Sequence, residues 1–354
     1  MLGVDSRAAR VAWSVFLLVL TLALVYWIRR TLLIFTAALL LAYLLSPLVN
    51  LVDRVAKGRV SRSLSLAVVY VLMIALIGTA LGAIGSRVVE EAANLASRLP
   101  HLIRRLDQPI DLPLPEWVRP VKLSLLAALR SFMEEHSKDA LPLLQRAGRE
   151  LFSLLGSLTF VILVPILSFF FLKDGAEMRE SLTALVPDGA RRRLFDEILG
   201  DVHVLLAQFI RAIVILSAAT FVFYGLFFTI TGVPYAALLA VTAALLEFIP
   251  VIGPFSAAVV IVLVAGFSGY GHVLWIVVFL AAYRLFQDYV LQPYLMSSGV
   301  EVHPLLVIFG VLAGEQIGGV PGMFLSIPVI ATLRVVFVRF RKAHEAKLGF
   351  QAEP

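Results

Sequence analysis

The chain contains no cysteine. That one absence excludes disulfides, thiolate metal sites and cysteine nucleophiles. Charge is scarce too: Asp, Glu, Lys and Arg make up 15% of the 354 residues, against about 25% in soluble domains. Hydrophobic residues fill 60%, a surplus that a soluble fold of this size cannot hide while keeping a charged surface. Disordered chains are poor in apolar residues, so the same figures exclude disorder. No Gly-x-x-x-x-Gly-Lys-Ser/Thr phosphate cradle, His-Glu-x-x-His pair or Gly-x-Ser-x-Gly elbow occurs, which leaves hydrolysis and ATP-driven pumping without machinery in this chain. His272 and His303 lack partners at ligand spacing, so no metal site is expected. No cofactor is expected either, and the chain does not read as an enzyme. What remains is an all-α, polytopic integral membrane protein of about eight membrane helices, some of them broken or re-entrant.

Its net charge of +6 comes from basic clusters that flank apolar runs: Arg7 and Arg10; Arg54, Lys57, Arg59 and Arg62; Arg191, Arg192 and Arg193; Arg339, Arg341 and Lys342. In a membrane chain such clusters mark cytoplasmic loops, and nothing resembles the basic face of a nucleic-acid module. Uncharged runs at 11–28, 31–52, 63–86 and 151–172 each approach the ~20 residues that cross the hydrocarbon. The first is expected to stay as a span, being too long for a secretory signal and lacking a small-residue cleavage site before Arg29. The resulting organisation has three membrane helices in 1–86, an extracytoplasmic helical insertion in 87–150 and a fourth membrane helix in 151–172. A cytoplasmic amphipathic segment follows in 173–203, then a core of broken helices and hairpins in 204–340 and a cytoplasmic tail in 341–354. Within the insertion, Pro109, Pro113, Pro115 and Pro120 precede a helical periodicity of Val121, Leu125, Leu129 and Phe132. Both termini are expected in the cytoplasm.

The later half is interrupted. Residues 212–246 carry no charge but exceed one span, and Gly232-Val-Pro234 divides them. Short apolar pieces at 304–311 and 323–338 read as half-helices or re-entrant hairpins, which are tolerated where broken backbone is buried or lines a polar cavity. Such interrupted pieces point to a transporter's binding site. The most specific stretch is Glu247-Phe-Ile-Pro250-Val-Ile-Gly253-Pro254. Both prolines lack an N–H and disfavour helix in the residue before them. The helix is expected to break there, leaving carbonyls near 246–250 free beside Glu247, an arrangement suited to a cation or proton. The plainer alternative is an interfacial turn with Glu247 in water, but a carboxylate inside an apolar stretch marks a functional site by default.

Arg284 and Asp288 are four residues apart and share a helix face, as a structural lock or a substrate contact. Gln287 and Asp288 are placed on the transport path because Pro293 is expected to break the helix nearby. Gly310, Gly314, Gly318 and Gly322 recur every four residues, a stripe that drifts only about 40° per step. It serves either close packing between helices or a smooth surface for sliding, with Glu315 and Gln316 at a mobile tip and Pro321 and Pro328 breaking the helix. Arg211 is expected to reach the interface, and His303 before Pro304 to act as a cap or an interface residue.

These residues resemble the autoinducer-2 exporter family of permeases. The likeness runs through Ala42-Tyr-Leu-Leu-Ser-Pro47, Pro165-Ile-Leu-Ser-Phe-Phe-Phe-Leu-Lys-Asp174, Gln208-Phe-Ile-Arg211, the Glu247–Pro254 motif, Gln292-Pro293, Gly299, Pro304 and the closing glycines. The resemblance implies an eight-span helical transporter of the bacterial inner membrane, a homo-oligomer (a pentamer) with an elevator-like moving part. It also implies export of a small polar solute such as autoinducer-2, coupled to protons or sodium. Glu247 would couple the ion, Gln287 and Asp288 would contact the solute, and Gly253 and Pro254 would shape the cavity. Sodium (or lithium)/proton antiport is the alternative, with a non-transporting scaffold centred on 87–150 behind it.

Overall fold

The computed structural model describes residues 6–56, 60–104, 158–187, 189–295 and 303–350. Most of the expected insertion, the start of the fourth membrane helix, Lys57, Arg59 and Gly299 lie outside these residues. Every regular element described is helical. The elements are α1 (Ser6–Trp27), α2 (Arg29–Val55), α3 (Arg62–Ala80), a π turn (Leu81–Gly85), α4 (Ser86–Arg104), α5 (Leu158–Ala184) and α6 (Ala190–Thr231). After these come α7 (Ala236–Leu246), α8 (Ile252–Phe267), α9 (Val273–Phe286), a second π turn (Gln287–Leu291), α10 (Gln292–Leu295) and α11 (Pro304–Phe350). Among the described residues, five stretches are long and apolar enough by length and composition to cross a membrane: Arg29–Val55, Arg62–Arg98, Ala190–Thr231, Val273–Leu295 and Pro304–Glu345, the last of which is interrupted at Gly319. With the shorter apolar helices α1, α7 and α8, the chain is an all-α, multi-pass membrane protein.

Several boundaries differ from the sequence reading. The helix that carries the apolar run ending at 172 continues as α5 through Lys173-Asp174-Gly175 to Ala184. Asp174 and Gly175 are poor helix formers, so the surrounding helix carries through them against local preference and ends only at Ala184. The long uncharged run does divide at Gly232-Val-Pro234, between α6 and α7.

Two compact units emerge, each built from discontinuous pieces. One comprises Met1–Ala42, Ile162–Val202 and Glu301–Pro354. Here α11 folds back on itself at Gly319, whose φ of 60° and ψ of −142° lie outside the helical region. Antiparallel legs result. A β-carbon on Gly314 would collide with the Gly322 backbone, and one on Gly322 with the Gly314 carbonyl. Gly310 faces Ile330 and Ser326, and Gly318 faces Leu33. Beyond the hairpin, Arg339 bonds Asp201 at 2.6 Å and Glu197 at 2.7 Å. Arg179 bonds Asp196 at 2.8 Å. These pairs tie α11 and α5 to the start of α6.

The other unit comprises Tyr43–Val161 and His203–Val300. Its core packs the small buried faces of a second hairpin (Leu239, Ala240 and Ala243 on α7, Ala257, Ile261 and Ala265 on α8) against Tyr224 and Phe228 of α6 and Ile276, Leu280 and Tyr283 of α9. Lipid tails are as apolar as leucine, so this association relies on packing rather than on expelling water. Alanine faces let the backbones approach, and the Phe227 and Phe279 rings stack at 3.9 Å.

The inter-leg contact at Gly314 leaves no room for a methyl group. Gly314→Ala should destabilise the protein by about 1–3 kcal/mol, as overpacking does. Gly318→Ala, whose added carbon would meet only the mobile end of Leu33 at 3.3 Å, should cost less. Thermal unfolding of the two variants in detergent gives the comparison.

Candidate functional site

The site grows from the interruption between α7 and α8. α7 ends at Leu246, with Glu247 as its C-cap, and α8 begins at Ile252. Val251 takes up a positive φ of 64° between them. A β-carbon on Gly253 would overlap the Leu246 carbonyl, so the turn demands glycine there. Eleven residues of α7 extend about 16 Å, roughly half the hydrocarbon thickness of about 30 Å.

Three of the carbonyls expected to be free at the tip, those of Leu246, Ile249 and Pro250, are taken up by the turn itself. Ile249 N–H donates to the Leu246 carbonyl at 2.9 Å, Gly253 N–H to Ile249 at 2.9 Å and Ile252 N–H to Pro250 at 2.7 Å. The Ser217 hydroxyl of α6 donates to the Ala244 carbonyl at 2.8 Å. Tight local turns close the backbone on itself because no water is at hand to do so.

What the break does present is the Glu247 side chain. It is 6% exposed, and its partners are buried with it: Gln287 at 1%, Thr220 at 2% and Tyr283 at 5%. Gln287 Nε2 donates to Glu247 Oε1, and Thr220 Oγ1 donates to Oε2 at 3.3 Å. Thr220 Oγ1 lies 3.0 Å from the Tyr283 hydroxyl. A hydroxyl that gives its hydrogen to Glu247 still offers lone pairs, so Tyr283 donates to Thr220 and a directed chain runs from Tyr283 through Thr220 to Glu247. The Tyr283 ring is held by Tyr224 at 5.1 Å and Phe223 at 5.6 Å.

Three stretches converge: Thr220 from α6, Glu247 from the hairpin, and Tyr283 of α9 with Gln287 of the π turn that continues it. Among the described residues Glu247 makes no ion pair. A buried carboxylate with only neutral donors is costly while charged. It is therefore suited to taking up a proton or a small cation.

Of the sequence candidates, the structure brings together Glu247 and Gln287. Arg284 and Asp288 form the expected pair at 2.9 Å, with 42% and 37% of their side chains exposed. Gln292 Nε2 also donates to Asp288 at 3.2 Å. These three form a separate, half-exposed row. Pro293 does not break the helix as expected, since α10 runs through it to Leu295. Proline cannot donate to the carbonyl four residues back, and the ladder adapts by widening into the π turn just before it, where Gln292 N–H donates to the Gln287 carbonyl. Glu315 is exposed and belongs to the other compact unit, at the tip of the α11 hairpin. His303 is the expected cap, its Nδ1 accepting from Leu305 N–H at 3.2 Å. Thr220, Ser217 and Tyr283 escape the sequence reading. Their only signal is a hydroxyl inside an apolar helix, and most such hydroxyls simply bond their own backbone.

The sequence pattern of the AI-2E family transporters matches residues 15–342. The chain belongs to the AI-2E transporter family. Among its relatives is "Putative transport protein YueF" of Bacillus subtilis, 25% identical over 311 residues that cover 85% of this chain and 82% of the relative. "Putative transport protein MT0215" of Mycobacterium tuberculosis is 27% identical over 341 residues, covering 92% and 88%. "Putative permease PerM" of Escherichia coli is 28% identical over 191 residues, covering about half of each chain, 52% and 53%. Membership of a family of transporters and permeases supports membrane transport as the function.

The Glu247–Gln287 bond can be tested by stability. Gln287→Leu should cost about 1–3 kcal/mol, because it strands a buried acceptor. In a Glu247→Leu background the same substitution should cost about 0.5 kcal/mol or less, since no acceptor is then left unpaired. Thermal unfolding of the four proteins of this cycle measures the difference.

Proposed function

We propose that the chain is a secondary transporter of the autoinducer-2 exporter type. It moves a small polar solute such as autoinducer-2 outward across the bacterial inner membrane, with proton coupling at Glu247. The observation that carries this reading is the buried carboxylate at the tip of a broken helix, supported only by neutral donors from two other elements. A proton can neutralise such a group without displacing a resident cation, and neutralisation changes how strongly Gln287 and Thr220 hold the tip. That gives an ion a means of acting on the hairpin.

Alternating access is placed in the two hairpins, α7–α8 and the legs of α11. Gln287 and the Arg284–Asp288–Gln292 row supply polar contacts, and Glu315 marks the tip of the second hairpin. A homo-oligomer, pentameric and with cytoplasmic termini, completes the reading.

The test uses proteoliposomes loaded with autoinducer-2 and a pH-sensitive dye. The unsubstituted chain should release the solute when a proton gradient is imposed and should dissipate that gradient in return. Glu247→Gln should abolish gradient-dependent release, and release unchanged across pH would overturn the coupling role. If sodium or lithium alone collapses the gradient and autoinducer-2 has no effect, the chain is a cation/proton antiporter working through the same carboxylate.

A further inference from the structure

Helix α7 begins without a cap of its own. Its N-cap residue, Tyr235, sits at a positive φ of 60° and makes no side-chain hydrogen bond to the helix. The first turn is Ala236-Ala237-Leu238, which has no polar side chain to satisfy its N–H groups. Inside a membrane protein an orphan donor of this kind is costly.

The missing acceptor comes from a distant part of the chain. Glu91 Oε2 accepts the Leu238 N–H at 2.8 Å. Glu91 lies on α4, the helix that continues the third membrane span beyond the π turn at Leu81–Gly85. A π turn adds one residue to the ladder, so it rotates everything that follows by about 100° relative to an unbroken α-helix. Glu91 thus faces α7 because of that extra residue, while its neighbour Glu90 is exposed.

The buried face of α7 offers little steric interlock, since Leu239 is accompanied only by Ala240, Ala243 and Ala244. A nearly smooth helix needs a directional contact to set its position along its own axis. Glu91 is such a contact at one end of α7. Glu247 stands at the other, about 14 Å further along at 1.5 Å per residue.

We propose that Glu91 is a positioning residue for the Glu247 site: its carboxylate holds the first turn of α7 and so sets the depth at which Glu247 meets Gln287 and Thr220. For its functional consequence this inference rests on the transport reading of Glu247. The contact works through reach. A glutamine keeps an acceptor oxygen at the same distance, whereas an aspartate is one methylene too short.

The experiment takes the full-length chain through two measurements. One is autoinducer-2 release from proteoliposomes under an imposed proton gradient. The other is hydrogen exchange of the amides of residues 236–239 in detergent. Glu91→Ala and Glu91→Asp should raise exchange in that turn and lower release, each by about five- to thirty-fold, the scale of losing a helix cap. Glu91→Gln should keep both within about threefold of the unsubstituted chain, since its amide oxygen still caps the turn. Should the alanine variant fail to fold, the aspartate and glutamine variants carry the comparison.

Release that stays within twofold in Glu91→Asp overturns the proposal, as does a loss of release with no rise in exchange at 236–239. Glu247→Gln is measured beside them. If it is silent while the alanine and aspartate variants are impaired, the coupling role of Glu247 falls and Glu91 stands as the residue that positions the hairpin. If Glu247→Gln abolishes release while the Glu91 variants are silent, the coupling role stands and this proposal falls.

Discussion

A helix that stops inside an apolar membrane fold leaves backbone groups that need partners within the protein, and the α7–α8 hairpin is organised around meeting that constraint. At the tip, the Leu246, Ile249 and Pro250 carbonyls are taken up by N–H groups of the turn itself. Ser217 reaches across from α6 to the Ala244 carbonyl, and Glu91 reaches from α4 to the Leu238 N–H. Each of these bonds also fixes a direction. The tight turn points Glu247 inward, and the two outside contacts tie the helix to its neighbours. The polar site is a by-product of closing the backbone, because the residues that close it leave one carboxylate facing Thr220 and Gln287.

The two hairpins meet the same constraint with different materials. In α11 the legs touch backbone to backbone at Gly314 and Gly322, so a methyl group cannot enter without moving one leg. In α7–α8 the legs present alanines to a wall of aromatic rings. Because packing replaces the hydrophobic effect as the force between membrane helices, the glycine contact gives a closely fitted pair and the alanine faces a smoother one. Polar contacts then hold each hairpin where packing alone is permissive. Arg339 bonds Glu197 and Asp201 beside the α11 hairpin, and Glu91 bonds the first turn of α7.

Much of this was legible in the sequence wherever a residue changes the backbone by its covalent structure. Pro250, Gly253 and Pro254 announce a break because two of them lack a donor and the third admits a contact that no side chain allows. In α11 the break was expected at Pro321 and Pro328, but both lie within helix and the chain folds back at Gly319, whose non-helical backbone the glycine spacing did not single out. Glu247 was legible because a carboxylate in an apolar run demands an explanation. The partners of Glu247 were legible only in part. Gln287 attracted notice through its nearness to Pro293, although Pro293 widens the helix instead of ending it. Thr220 and Tyr283 carry no such mark, since a hydroxyl in an apolar helix acquires meaning only when another helix brings an acceptor to it. The π turns are hidden for a related reason. One inserted residue shifts a helix face by about 100°, and no apolar periodicity over so short a length records it.

Arg284 decides what kind of place the Glu247 site is. It lies beside Tyr283 in sequence, yet its guanidinium bonds Asp288, and Asp288 is held in turn by Gln292. With that charge committed to the half-exposed row, the buried carboxylate meets only an amide and a hydroxyl. Had an arginine paired with Glu247, the result would be a neutral lock, and removing either member would strand a buried charge. With neutral donors alone, the carboxylate stays responsive to whatever cation or proton arrives. Asp288 therefore matters to the site without touching it, by keeping the nearby positive charge engaged elsewhere. The sequence had grouped Arg284, Gln287 and Asp288 as one polar cluster. In three dimensions they divide into a buried acceptor site and an adjacent ion pair, whose arginine acts on Glu247 through space while its hydrogen bond goes to Asp288.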